Sequence, residues 1–190
     1  KSKIENNENN LSMAKTLDGL KAFKSKDYKK GIKCYKEAIS LDENNMEAYA
    51  SLALAYKKLG DETHSLDDYE NVLKTVNACN AQMNKNRNLL HDPDVKAATY
   101  YNAGLAREEM AKLYEKSNKT NEAIECYNKA KSNFSTAYEN AKEAENTDRM
   151  DVYKDSQKRI DDALKVLKAK DIKKKTNSFK TGKNKVSNKS

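Results

Sequence analysis

The chain has 190 residues, and its 37 Lys and Arg outnumber its 29 Asp and Glu, which gives a net charge of +8. Hydrophobic residues make up 37% of it, with five Gly, one Pro and no Trp. This composition supplies too little turn chemistry for the many short strands of a β-sandwich or β-barrel. No run of about 18 apolar residues predicts a membrane span. We therefore expect one all-α domain with polar termini.

The positive charge is concentrated at the C-terminal end of the chain. Residues 168–190 contain nine Lys and one Asp, so residues 1–167 carry as many acidic as basic side chains. Because residues 171–190 have few apolar side chains to bury, the sequence predicts a disordered basic tail there. Residues 1–11 are also polar and are expected to be flexible, which leaves residues 12–170 as the folded helical domain.

Apolar residues recur every three or four positions through residues 12–170, which is the spacing of helices with one buried face. The helices fall into pairs, because similar patterns recur in successive units at about 12–45, 46–91 and 93–145. In each unit the second helix has a small residue followed four positions later by tyrosine. These pairs are Gly31 and Tyr35, Ser65 and Tyr69, and Ala123 and Tyr127.

The first helices also contain small residues, at positions where a close neighbour is expected. They are Gly19, Ala53 and Gly104. Their expected partners in the second helices are Gly31, Ser65 and Ala123, respectively. A residue with little or no Cβ lets two helix backbones approach closely. The tyrosines of the second helices would then fill the space between neighbouring units.

The later helices depart from a uniform repeat. With no proline to stop it, the second helix of the middle unit is expected to continue to about Leu90. Asp92 is the predicted N-cap of the next helix, at about 93–116, which begins with the only proline. A further helix is predicted at about 121–145, and a last helix at 147–170 is expected to cap the stack.

The 34-residue units resemble the tetratricopeptide repeat. The similarity is carried by DYKKGIKCYKEAISLDENN at residues 27–45 and by AYASLALAYKKLGD at residues 48–61, and it extends over about residues 12–131. The resemblance implies an all-α solenoid of antiparallel helix pairs, in which the first helices line a concave groove. It also implies a scaffold or adaptor that binds a peptide or helix of a partner protein in this groove.

The resemblance places the partner-binding groove on the first helices. Leu20, Leu54 and Leu105 occupy equivalent positions in this alignment and would form an apolar ladder, which favours a partner with apolar anchors. The other groove residues are Phe23, Lys24, Lys57, Lys58 and Tyr101, with Met13 and Leu17 on the same face of the first helix. The alternative is that the chain's own last helix or N-terminal segment covers the ladder.

Some members of this family hold the acidic C-termini of chaperones in a clamp of Lys, Asn and Arg side chains. The matching positions here are Thr16, Leu20, Ser51, Ala98 and Asn102. Only Asn102 is polar enough to resemble a clamp residue, so no carboxylate clamp is expected.

Side chains that could support catalysis or bind a metal are scarce. His64 and His91 are expected to be solvated, and the three cysteines form no CxxC motif and are expected to be packing thiols. Adjacent acids such as Glu108 and Glu109 point about 100° apart on a helix and are predicted to form a charged outer face. The sequence therefore predicts no enzyme, no metal site and no cofactor.

The basic tail has interpretations of its own. Its lysines are Lys173, Lys174, Lys175, Lys180, Lys183 and Lys185. A solvated terminus is one interpretation. The other is attraction to RNA or to an anionic membrane surface, which would make the protein an adaptor tethered through the tail.

The sequence says less about the cellular location and the oligomeric state than about the fold. A cytoplasmic location is favoured, and a periplasmic or membrane-anchored location stays open because the chain begins with Lys1 rather than Met. The oligomeric state is left open.

Overall fold

The computed structural model describes residues 2–187, which form eight helices and no strand. Helices α1 to α4 are Lys3–Lys24, Tyr28–Leu41, Met46–Thr63 and Leu66–Lys85. Helices α5 to α8 are Arg87–Leu90, Pro93–Lys116, Thr120–Glu143 and Thr147–Ser187. α1 packs on α2, α3 on α4 and α6 on α7, while α2 contacts α3, α4 contacts α6, and α8 covers α7. The predicted all-α stack of helix pairs is confirmed.

Side-chain caps start several of these helices. The Asp27 carboxylate accepts a hydrogen bond from the Lys30 backbone N–H at 3.2 Å, and the Asn45 side chain accepts one from the Ala48 N–H at 3.1 Å. Asp92 caps α6, which begins at Pro93, as the sequence predicts. These caps satisfy backbone donors that have no partner within the helix, so they set the start of each helix locally.

Each helix pair has a point where an aromatic ring of one helix lies flat against a glycine of the other. The pairs are Gly19 with Tyr35, Gly60 with Tyr69, and Gly104 with Phe134. A Cβ atom added to any of these glycines would lie 2.5–2.7 Å from the ring, closer than atoms can pack. All three rings are at most 1% exposed, so they have no free space into which to move. The glycines therefore make room for the largest side chains of the core.

Of the predicted close approaches between small residues, the first is confirmed and the second is wrong. A Cβ atom at Gly31 would lie 3.3 Å from the carbonyl oxygen of Gly19. In the second unit α3 continues to Thr63, which places the end of the helix about 15 Å along its axis from Ala53. Ser65 is the N-cap residue of α4 beyond that end. Ser65 is thus far from Ala53, because α3 is longer than the alignment assumed.

The third predicted approach is also wrong, because the helices of this pair are extended away from their turn. Gly104 faces Phe134 rather than Ala123. Ala111, one heptad nearer the turn, lies in the same buried cluster as Ala123 and Tyr127. Its separations from these two residues equal those of the first unit's glycine from its own small residue and tyrosine. Ala111 is therefore the equivalent of Gly19, and α7, at 24 residues, is longer than the 14-residue α2 of the first unit.

The second helix of the middle unit ends earlier than predicted. α4 ends at Lys85, and the short α5 covers Arg87–Leu90. Asn86 interrupts the helix with φ −140° and ψ 65°, which are extended rather than helical dihedral angles. The apolar spacing that predicted a continuous helix persists across Asn86, but the backbone turns there to lead the chain to α6.

The two termini differ most from the prediction. α1 begins at Lys3, with the Ser2 hydroxyl accepting a hydrogen bond from the Glu5 N–H, although residues 1–11 were expected to be flexible. α8 continues to Ser187, although a disordered tail was expected from residue 171. Extending a helix that is already nucleated needs no new packing, and the Asp171–Lys175 ion pair at 2.9 Å adds local support. Residue 1, residues 188–190 and the side chain of Lys185 lie outside what the structure describes.

Cys79 offers a test of the packing between α3 and α4. Its thiol is fully buried, and burial raises its pKa from 9.0 to about 12. Because the thiolate is the reactive form, Cys79 is expected to resist iodoacetamide at neutral pH in the native protein and to react in denaturant. Peptide mass spectrometry after timed alkylation measures this.

The same raised pKa predicts how stability changes with pH. Burial favours the neutral thiol of Cys79, so its contribution to folding is complete below pH 9.0 and is lost as the pH rises towards about 12. In the alkylation experiment the half-buried Cys34 serves as the internal control, because burial also raises the pKa of Cys126. Equal alkylation of Cys79 and Cys34 in the native protein would show that this packing is incorrect.

Candidate partner-binding surfaces

The predicted groove residues of α1 form an exposed apolar row. Met13, Leu17 and Leu20 are spaced by four and three residues, so they share one face of the helix. Their exposed fractions are 63%, 61% and 39%. Lys24 lies one turn beyond Leu20 and is exposed. Phe23 is half-buried, with its ring 5.3 Å from that of Tyr28, and belongs to the edge of the core.

The predicted groove residues of α3 include two lysines, one of which forms an ion pair within the protein. Leu54 is half-buried and Lys58 is exposed. The Lys57 ammonium donates a hydrogen bond to Asp61 at 2.7 Å, and Asp61 also accepts one from the Tyr69 hydroxyl at 2.8 Å. Burial, with a smaller contribution from this bond to Asp61, raises the pKa of Tyr69. Lys57 is therefore held by the core, and Lys58 is the freer cation of the two.

The groove residues predicted on α6 are covered by the chain itself. The Tyr101 ring lies 4.8 Å from the ring of Tyr153 on α8 and 5.6 Å from that of Phe134 on α7. Leu105 is half-buried against the cluster formed by α6, α7 and α8, which includes Leu164. For this part of the ladder, the alternative of a covering last helix describes the structure.

The corrected register of the third unit explains why Leu105 does not continue the ladder. With Ala111 equivalent to Gly19, the residue equivalent to Leu20 is Lys112, which is exposed and paired with Glu109 at 3.0 Å. Leu105 is therefore not the equivalent of Leu20 and Leu54 in this register. The exposed apolar surface is concentrated on α1.

Glu108 is the side chain that sequence reasoning placed least well. It is 4% exposed rather than part of a charged outer face. Its two carboxylate oxygens accept hydrogen bonds from Nε and Nη2 of Arg159 on α8, at 2.7 and 2.8 Å. Hydrogen bonding to Glu108 raises the pKa of the Arg159 guanidinium. This two-point contact holds α8 across α6, and the spacing of adjacent acids gave no signal of it.

Two residues at the clamp positions point into the protein. Thr16 is buried, and its hydroxyl donates to the backbone oxygen of Ser12 at 2.9 Å and accepts from the Asn45 side chain at 3.0 Å. Asn102 is also buried, with 7% of its surface exposed. Neither side chain is presented to a partner. The absence of a carboxylate clamp stays a prediction.

The C-terminal part of α8 forms a second exposed surface. Leu167 is its last buried residue, and residues 168–187, here called the basic extension, continue for about 30 Å beyond it. The predicted tail lysines with described side chains are exposed along it, and they are Lys173, Lys174, Lys175, Lys180 and Lys183. Ile172 and Phe179 are also exposed, at 65% and 64%. Sequence reasoning missed these two, although their seven-residue spacing was readable.

Groups suited to catalysis or metal binding were sought over the same residues. No cluster of three or more His, Cys, Asp or Glu in the described part of the chain could hold a metal ion. His64 is exposed at the end of α3, and His91 is exposed and pairs with Glu143 at 2.7 Å. Between residues 2 and 187, no helix is both long and apolar enough to cross a membrane.

Comparisons with known families agree with this geometry. A family model described as TPR repeat matches residues 19–60, and one described as tetratricopeptide repeat matches residues 47–75 and 106–133. The chain therefore contains tetratricopeptide repeats over residues 19–75 and 106–133. Such repeats mediate binding between proteins, and the chain is accordingly a protein–protein interaction scaffold.

The match over residues 106–133 supports the register in which Ala111 is the equivalent of Gly19. The match begins at Ala106, after Leu105, and ends at residue 133, before Phe134. Ala111 and Tyr127 lie inside it, as expected for the repeat's own small residue and aromatic. The Gly104–Phe134 contact lies outside it, in the parts of α6 and α7 that are farther from their turn.

Comparison with solved structures gives a distant similarity to the crystal structure of MamA protein. The alignment covers 80% of this chain and 92% of that chain, with 14% sequence identity and a TM-score of 0.31. A search of curated proteins finds no match.

Proposed function

We propose that this tetratricopeptide repeat scaffold binds an amphipathic helix or extended peptide of a partner protein along the exposed face of α1. The observation that supports this is the apolar row of Met13, Leu17 and Leu20. In tetratricopeptide repeats, partners bind to the surface that the first helices form. This row lies on the first helix of the first repeat.

The charges next to this row suggest the chemistry of the partner. Lys24 follows the row on α1, and Lys58 is exposed on the neighbouring α3. A partner with two or three apolar anchors and acidic flanking residues would complement both features. The Arg159–Glu108 contact and the covered Leu105 limit this surface to the first two repeats.

Matched variants of one helix test the proposal. We expect Leu17→Glu with Leu20→Glu to weaken partner binding by at least about 100-fold, because each of the two buried leucines contributes about 1.5–3 kcal/mol. Leu11→Glu is the control, since Leu11 is 54% exposed on a different face of α1. All variants should keep the native circular dichroism spectrum and melting temperature, because the changed side chains are exposed.

The partner is captured with a photo-activatable amino acid placed at residue 17 or residue 11 in cells of the native organism. The expected result is a specific protein cross-linked from position 17 but not from position 11, through a segment with apolar anchors. Identical cross-links from both positions, or none from either, would refute binding at this surface. Loss of stability in the Leu20 variant without any change in binding would show that the row belongs to the core.

A second candidate function is a tether to an anionic partner through the basic extension. The observation that favours it is the row of exposed lysines that α8 carries beyond Leu167. Retention on heparin with and without residues 171–190 tests it. Unchanged retention after the deletion would exclude the tether.

A further inference from the structure

The basic extension is a charged helix with one apolar side. Residues 168–187 contain eight Lys, one Asp and no Arg. Ile172 and Phe179 are seven residues apart, so in a helix they lie on nearly the same line. Both are about two-thirds exposed, and Val186 continues the spacing in the sequence. In a disordered tail these apolar residues would be scattered, whereas the helix of the structure brings them onto one side.

Lysines flank this apolar side along its length. Lys168 precedes Ile172 by about one turn, and Lys175 lies between Ile172 and Phe179 along the helix. The Lys183 ammonium lies 4.8 Å from the centre of the Phe179 ring. Long lysine side chains next to an apolar row can reach outward while the row is buried. The helix therefore combines lysines that can reach anionic headgroups with two apolar side chains that can enter the boundary beneath them.

We propose that the basic extension binds an anionic membrane surface, lying parallel to it with Ile172 and Phe179 at the boundary of headgroups and acyl chains. The lysines would contact the lipid phosphates and carboxylates. The inference rests on the second proposed function, the tether, and names its partner. It is independent of the apolar row on α1, which belongs to the opposite end of the stack.

The residues of the basic extension argue against two other binding partners, a second copy of this chain and single-stranded RNA. In a coiled coil with a second copy, Ile172 and Phe179 would take one core position of each heptad, and Lys175 and Gly182 would take the other. Two such helices would bring their lysines together with too few apolar contacts between them. Single-stranded RNA is usually held by several stacking aromatics and by arginine, and the extension has one aromatic and no Arg.

Co-sedimentation of the full chain with lipid vesicles tests the proposal. We expect binding to phosphatidylcholine vesicles that contain about a third phosphatidylserine, and none to phosphatidylcholine alone. Changing Lys168, Lys175 and Lys183, which border the apolar side, to glutamine should weaken binding by roughly 100-fold, at about fivefold for each lysine. The matched control changes Lys29, Lys30 and Lys33, which are exposed on α2, and should leave binding unchanged.

A composition-preserving swap tests whether the apolar side itself is used. Exchanging Ser178 and Phe179 moves the ring about 100° around the helix without changing charge or total hydrophobicity. The swap should weaken vesicle binding about as much as Phe179→Ser does. If the swapped protein binds like the unchanged chain, the lysines act alone and the interfacial helix is refuted.

Fluorescence reports directly on insertion, because the chain has no Trp. Emission from Phe179→Trp should shift to shorter wavelength on anionic vesicles, whereas emission from Ser178→Trp should shift less. Polyuridylate serves as the nucleic-acid probe. Binding to polyuridylate without binding to vesicles would refute the membrane and leave the tether intact. If the protein binds none of heparin, polyuridylate and vesicles, both the tether and the membrane proposal are refuted.

Discussion

Substituting Phe134 by alanine is expected to lower the free energy of unfolding by about 3–5 kcal/mol. The ring is fully buried where α6, α7 and α8 meet, lies against Gly104, and is 5.9 Å from the Arg159 guanidinium. Alanine would leave a cavity that these helices cannot close without moving. Urea unfolding followed by circular dichroism measures the change.

The glycine beneath the ring provides a double-mutant test of the same contact. Gly104→Ala should cost about 1–3 kcal/mol, because its Cβ would lie 2.6 Å from Phe134 Cε1. In a Phe134→Leu background the cost should largely disappear, since the narrower side chain leaves room for the methyl group. Gly182→Ala is the matched control, with nothing within 4 Å of its added Cβ, and should be neutral or slightly stabilising. Equal costs for Gly104→Ala in both backgrounds would contradict the contact.

Removing the guanidinium of Arg159 should be almost as damaging. The Glu108 side chain is only 6% exposed, and Arg159→Ala removes the cation that pairs with its carboxylate. We expect the free energy of unfolding to fall by about 2–3 kcal/mol. The loss is smaller than for a fully buried pair, because the Arg159 side chain is itself 49% exposed. Glu108→Gln should cost less than Arg159→Ala, because the amide needs no counter-charge.

The double variant distinguishes a lost ion pair from lost packing. In a Glu108→Gln background, Arg159→Ala should cost much less than in the unchanged protein, because the amide needs no counter-charge. Urea unfolding of the four proteins measures the two costs. Equal costs in both backgrounds would indicate that Arg159 stabilises the protein through its aliphatic stem.

The Arg159–Glu108 contact also connects the fold to the two proposed surfaces. It fixes α8 across α6, where α8 covers part of the surface that a uniform repeat would leave open. It also orients the basic extension relative to the body, because the extension continues the same helix. A variant that weakens this contact should therefore leave binding at α1 unchanged while making the extension's direction less defined.

Much of the repeat architecture could be predicted from sequence, because its signals are local. The Asp92 cap, the proline at the start of α6 and the end of that helix at Lys116 all follow from residues close in the chain. The Gly19–Gly31 approach was predictable for the same reason, since the first unit has the usual repeat spacing. The third unit was misaligned by one heptad, because a shift of seven residues preserves the buried face of a helix.

The candidate surfaces were predicted less completely than the fold. The exposed row on α1 was among the expected groove residues, whereas Tyr101 and Leu105 are covered by α7 and α8. Exposure depends on which helix crosses above a residue, and a single sequence does not show the path of a distant helix. For the extension, composition indicated disorder, and the alignment of Ile172 with Phe179 becomes visible only when the segment is helical.

By itself the sequence determined that the chain is a stack of helix pairs with a neutral body and a lysine-rich end, because helical periodicity, caps and charge are properties of neighbouring residues. The tertiary structure alone decided that Gly104 receives Phe134, that Glu108 is buried against Arg159, and that Leu105 packs against the cluster of α6, α7 and α8. Each of these depends on the register between helices. That register is set when large side chains from distant parts of the chain compete for the same enclosed volume.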